Sequence, residues 1–112
     1  MTVCTKGENM SMKKQYLKSK AVCKVTFRIS KAAAKSAARV NLVGDFNNWS
    51  VTQTPMRPLK SGEFTVTLDL ETSRAYEFRY ILDGIRWEND WEADRYVPSS
   101  FADCENSVVD ID

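Results

Sequence analysis

The chain has 112 residues, 43% of them hydrophobic and 28% charged, which suits one domain with a core, leaves no room for a second, and excludes a disordered tail. A net charge of +1 implies no polyanionic partner, and no apolar run approaches the length of a membrane span. No apolar stretch follows the N-terminal lysines as a secretory signal requires, so a cytoplasmic protein with neither nucleic acid nor membrane as partner is expected.

The charge is unevenly placed. Residues 1–39 hold ten Lys or Arg and one acid, Glu8, whereas residues 83–112 hold two Arg and nine acids. A basic arm can serve nucleic acid, but no DNA- or RNA-binding motif accompanies these lysines. The favoured reading is that the two ends lie near each other and compensate. The three cysteines, Cys4, Cys23 and Cys104, form no CxxC pair. With no histidine in the chain they make a poor zinc site, so neither a metal nor another cofactor is expected. Cys23 reads as a small buried hydrophobe, and a Cys23–Cys104 disulfide is not expected in a reducing compartment.

In chain order, Met1 to Met10 has no periodicity and reads as a flexible leader. Ser11 to Lys20 predicts a short helix, with Ser11 as cap and Met12, Tyr16 and Leu17 on one face. Residues 1–20 are thus a basic leader and residues 21–112 the folded domain. Cys23, Val25, Phe27 and Ile29 alternate with Lys24, Thr26 and Arg28, the period of a half-buried strand. Lys31 to Ala38 has strong helix propensity, but it spans two turns between strands and predicts a solvent-exposed connection with at most one helical turn. Val40 to Val43 is a strand apolar on both faces. Pro55 and Pro58 keep Thr54 to Leu59 out of any central strand.

Phe64, Val66, Leu68 and Leu70 mark the next strand, and Tyr76, Phe78, Tyr80 and Leu82 another, whose other face shows Glu77, Arg79 and Ile81. Ser61-Gly62 and Asp83-Gly84 are turns. Ser107 to Ile111 predicts a last, short edge strand. Five or more strands at roughly ten-residue spacing, without crossover helices, predict an antiparallel β-sandwich.

Two turns stand out from the alternation. Gly44-Asp45-Phe46-Asn47-Asn48-Trp49 follows one strand, and Asp83-Gly84-Ile85-Arg86-Trp87 follows another. Gly, Asp and Asn tolerate turn conformations, and each turn delivers a large ring. Two rings so presented point to a site for a flat-faced ligand. Plainer roles stay open: Trp49 as a plug at the end of the sandwich, Trp87 packed on Trp91 or Tyr96, Arg79 paired with an acid, Asn106 as a turn residue. Asp45, Asn47 and Asp83 read as turn formers, and Trp91 as structural. The acids Glu88, Asp90, Glu92 and Asp94 read as a solvated face or a weak cation site. Catalysis is not expected, because histidine chemistry is absent and the chain is short for a cleft with two opposed carboxylates.

The runs VTFRI (Val25 to Ile29), VNLVGDFNNW (Val40 to Trp49), PMRPL (Pro55 to Leu59), GEFTVTLDL (Gly62 to Leu70), YEFRYILDG with Trp87, and ENSVVDI (Glu105 to Ile111) together resemble the glycogen-binding domain. This is carbohydrate-binding module family forty-eight, the isoamylase early-set domain, which includes the β-subunit module of AMP-activated protein kinase and the N-terminal modules of glycogen branching and debranching enzymes. The resemblance covers Val22 to the C-terminus and looks like a stand-alone version of the module.

It implies an immunoglobulin-like, all-β sandwich that binds α-1,4-linked glucans (glycogen, starch, maltodextrins) without catalysis, and that recruits or regulates a partner such as a glycogen-metabolising enzyme or a kinase. The alternative is a module of the same fold that has lost glucan binding and serves protein–protein regulation. By the resemblance, Trp49 and Trp87 are the rings that stack on glucose, Arg79 stands where the kinase module has a sugar-contacting lysine, and Asn106 is the family asparagine near the end. A family threonine is replaced by Cys104, a ring-inserting leucine falls near Phe101 or Ala102, and the turn before Trp87 is one residue longer. These residue types suit the chemistry: a ring covers the C–H face of a pyranose, while amide and guanidinium groups answer its hydroxyl rim.

Overall fold

Period-two alternation becomes two packed antiparallel sheets in the computed structural model, which describes residues 12–17, 21–99 and 104–111. In chain order the strands are β1 (Met12–Tyr16), β2 (Val22–Ile29), β3 (Val40–Gly44), β4 (Arg57–Pro58), β5 (Phe64–Glu71), β6 (Arg74–Leu82), β7 (Arg86–Glu88), β8 (Arg95–Pro98) and β9 (Glu105–Ile111). One sheet has the order β1-β2-β5-β4; the other has β3-β6-β9-β8, with β7 beside the C-terminal half of β6. This is the predicted all-β, immunoglobulin-like sandwich.

The core is made where the two inner faces meet. β2 contributes Cys23, Val25, Phe27 and Ile29, and β6 contributes Tyr76, Phe78, Tyr80 and Leu82, all buried. Phe27 packs edge-on against Phe78 at 5.1 Å between centroids, and Phe78 against Tyr80 at 5.8 Å. Each such ring contributes roughly 1.5–3 kcal/mol through area removed from water. Burial raises the pKa of the Cys23 thiol, which keeps it inert, and neither Cys23 nor Cys104 is bridged.

Four expectations need correction. The N-terminal segment is not a short helix: Met12–Tyr16 pairs with Phe27–Cys23 as β1, and Met12 is buried, so the backbone takes its hydrogen bonds from the free edge of β2. Residues 1–11 and 18–20, the rest of the predicted leader, lie outside the described residues. The KAAAKSAA stretch does form one helical turn, α1 (Lys31–Ala34), capped by the Ser30 side chain. It is not wholly solvent-exposed, because Ala33 and Ala34 enter the core.

β9 is not an edge strand; it lies between β6 and β8, because β8, which was not predicted, pairs with its outer side, while β7, also not predicted, pairs with the other end of β6. Finally, Asp90 does not belong to a solvated acidic face. It is 2% exposed and accepts a 2.9 Å hydrogen bond from the Tyr80 hydroxyl, while its N–H donates to Ser107 Oγ at 2.8 Å. Burial, followed by the charge and hydrogen bond of Asp90, holds the Tyr80 pKa well above the usual tyrosine range.

The basic start and acidic end do meet. Lys14 Nζ donates to Asp94 Oδ2 at 2.7 Å and to the Asp110 carbonyl at 2.9 Å, and Lys35 reaches Glu88 at 3.1 Å. Lys14 pairs with Val25 and so shares its inward side. An inward charge on an edge strand opposes pairing with a further chain.

Candidate functional site

The GDFNNW turn is fixed from below before it presents its ring. Gly44 is pressed so closely on β6 that a Cβ there would stand 2.5 Å from the Glu77 carbonyl and 2.8 Å from Phe78 Cβ. Asp45–Asn47 then forms a 3-10 turn. Asn47 is buried and acts as its staple: its Oδ1 accepts from Gly44 N, and its Nδ2 donates to Leu42 O and Thr54 Oγ1. Phe46 packs towards the core, 5.6 Å from Phe27.

Asn48 and Trp49 both have φ of 57°. Asn accepts the left-handed region readily, but for a bulky ring it costs about 1–3 kcal/mol. The cost is met by two hydrogen bonds, from Trp49 N–H to Gly44 O at 2.9 Å and from Trp49 Nε1 to Asp45 Oδ1 at 2.8 Å. The other carboxylate oxygen of Asp45 accepts from Glu77 N at 2.8 Å. Asp45 is therefore more than a turn former: it ties the plane of the half-buried indole to the backbone of β6.

The second ring stands on the same sheet. Ladder partners project to one face, and β6 pairs Ile81 with Asn41 of β3 and Trp87 of β7, and Arg79 with Val43. Asn41, Val43, Glu77, Arg79, Ile81 and Trp87 therefore share the outer face, opposite the core residues of β6. Val43 and Ile81 are buried there, outside the main core cluster. Trp87 is 42% exposed. The Arg79 guanidinium carbon lies 5.3 Å from its ring centroid, a cation–π contact on one face of the indole. From Glu77, where Asp45 fastens Trp49, to Ile81, opposite Trp87, is about 13 Å along the strand.

The turn before Trp87 uses left-handed Asp83 and Gly84 (φ 55° and 73°), a hairpin geometry. Asp83 Oδ1 accepts from Ala38 N and Arg39 N at 2.8 and 2.9 Å. These N–H groups, that of Arg39 foremost, lower its pKa below the ordinary Asp value.

The four predicted site residues thus divide. Trp87 and Arg79 meet on the outer face of the second sheet, and Trp49 is fastened through Asp45 to the Glu77 position of the same β6. Arg79 makes no ion pair among the described residues, and Trp87 takes Arg79 as its ring partner in place of Trp91 or Tyr96. Asn106 is 5% exposed, and its Nδ2 donates to Glu77 Oε1 at 2.9 Å, so one amide hydrogen is already committed. Arg79 Nε and Asn41 Oδ1 are buried with no hydrogen-bond partner among the described residues. Phe101 and Ala102 lie outside the described residues, and Cys104 is half-buried.

Sequence reasoning missed Asp45 and Glu77 as site-building residues. The alternation of Glu77 with Arg79 was a signal for the second, whereas nothing local tells a clamping Asp45 from a turn-forming one. Trp91, expected to be structural, is 57% exposed.

Among the described residues no three His, Cys, Asp or Glu gather as metal ligands, and no helix is long and apolar enough to cross a membrane. What the second sheet and its turn offer is partly exposed rings, a guanidinium and amides, the makings of a β-sandwich binding module. Residues 20–97 match the family model of carbohydrate-binding module 48, the isoamylase N-terminal domain. The chain belongs to that family of carbohydrate-binding, non-catalytic modules, as its motifs implied. No curated protein sequence matches the chain.

Proposed function

We propose that this domain binds α-1,4-linked glucans, such as glycogen, starch or maltodextrins, by stacking glucose units on Trp49 and Trp87. The observation that supports this best is Trp49 itself. A bulky residue is held in left-handed backbone, with its indole N–H fixed by a carboxylate that is in turn fastened to β6. Strain of this kind persists where the surroundings over-determine it, and it gathers at ligand sites. With one face of Trp87 taken by Arg79, a pyranose uses the other, and the guanidinium is left for the hydroxyls of a neighbouring glucose unit.

Asn106 acts with Glu77 at the rim. No charge pairs contribute, so the affinity is micromolar to millimolar, roughly −4 to −8 kcal/mol. The domain acts through what it tethers, bringing a glycogen-metabolising enzyme or a kinase to the polysaccharide. The test is a maltoheptaose titration followed by tryptophan fluorescence, with retention on glycogen in affinity gels. Trp49→Ala and Trp87→Ala are each expected to abolish retention. A flat titration of the wild-type protein at millimolar sugar would refute the proposal.

A further inference from the structure

Trp91 is the described residue the binding face leaves unexplained. A ring with a packing role would be buried, yet this one is 57% exposed while being fixed from three directions. Its Nε1 donates to Glu88 Oε2 at 2.6 Å, and Lys35 holds the other oxygen of that carboxylate at 3.1 Å. The backbone beneath it is pinned by the preceding Asp90, which is buried. Asp90 N–H bonds Ser107 Oγ, and Asp90 Oδ1 accepts from Glu92 N at 2.8 Å. A carboxylate fixing the plane of an accessible indole repeats the Asp45–Trp49 arrangement.

The position follows from the ladder. Trp87 shares the outer face with Ile81, whereas Glu88 pairs with Tyr80 and so leaves β7 on the other side. Trp91, fastened to Glu88, stands round the edge of β7 from Trp87. Among the described residues β7 pairs only with β6, so no further strand extends the sheet past it, and a strand is only about 4.8 Å wide.

We propose that Trp91 is a second stacking platform, one that takes glucose units of the same glucan chain after it has passed Trp87 and crossed the edge of β7. The ring offers a flat apolar surface, and Glu88 and Lys35 offer an acceptor and a donor at its margin, which match the C–H face and hydroxyl rim of a pyranose. Once one part of the polymer is bound at Trp87, its later units are held near Trp91 at high effective concentration, so even weak stacking lengthens the preferred chain. This rests on the glucan reading above.

The test uses the whole chain, with the three indole N–H signals in proton–nitrogen NMR spectra assigned by single Trp→Phe substitutions. Maltotriose and maltoheptaose are titrated separately. Maltoheptaose is expected to move the Trp91 signal along with those of Trp49 and Trp87. Trp91→Ala is expected to shrink the gain in affinity from maltotriose to maltoheptaose by about 3- to 10-fold, with Trp91→Phe between it and wild type. If the Trp49 and Trp87 signals move while that of Trp91 stays, and Trp91→Ala keeps the full gain, the second platform is overturned and the glucan reading stands. If no indole signal moves with either sugar, both are overturned.

Discussion

Replacing Asp45 by alanine separates the posture of Trp49 from its presence. The substitution removes two hydrogen bonds, to Trp49 Nε1 and to Glu77 N, each 2.8 Å. Charge-assisted bonds are worth about 1.5–3 kcal/mol each when well shielded. Asp45 is exposed, so water replaces much of that, and a loss near 1–2 kcal/mol in total is expected. For a domain of this size that lowers Tm by about 4–9 °C.

The effect on binding is separate. An indole released from its clamp must be ordered by the sugar, at about 0.5–1.5 kcal/mol for one side chain, which weakens glucan affinity about 2- to 12-fold. Asp45→Asn retains one acceptor oxygen but turns an amide N–H toward the second donor, so it should fall between alanine and wild type on both scales. The measurements are thermal unfolding and a maltoheptaose titration of each variant. If Asp45→Ala loses stability but binds within twofold of wild type, while Trp49→Ala abolishes binding, the clamp does not prepare the ring and the reasoning fails.

Two further outcomes follow from the same geometry. Trp49→Gly and Trp49→Ala should both lose glucan binding, yet the glycine variant should be the more stable by about 0.5–1 kcal/mol, because only glycine adopts φ of 57° without steric cost; a more stable alanine variant in urea denaturation would contradict the strain. Tyr80→Phe takes a donor from the buried carboxylate of Asp90 and should cost about 1–3 kcal/mol, seen as a lower urea midpoint; an unchanged midpoint would mean that Asp90 does not depend on that hydroxyl.

The strands whose alternation runs long, β2, β5 and β6, were legible because each residue's face follows from its own parity, a property of the backbone that needs no partner. The turn chemistry of GDFNNW was legible for the same reason, since Asn48 in a left-handed conformation obeys local sterics. The family motifs pointed to Trp49, Trp87, Arg79 and Asn106. Parity also put Arg79 outside; it did not say that the guanidinium would lie over Trp87 and not beside an acid, because that depends on β7 pairing with β6.

Met12 and Tyr16 show the limit most plainly. A spacing of four satisfies one face of a helix and one face of a strand equally well, so the segment 12–16 has no preference of its own. The vacant edge of β2 decided for a strand. Short strands such as β7 and β8 hold too few residues to display a period. Whether an acid or an indole is buried is likewise not read from its sequence neighbours: Asp90 lies in the core because Tyr80 and Ser107 meet it there, while Trp91, next to it, is 57% exposed. Local sterics and alternation set the strands and turns; contacts between residues far apart in the chain set which polar and aromatic groups reach the surface, because burial is settled only when the sheets close on each other.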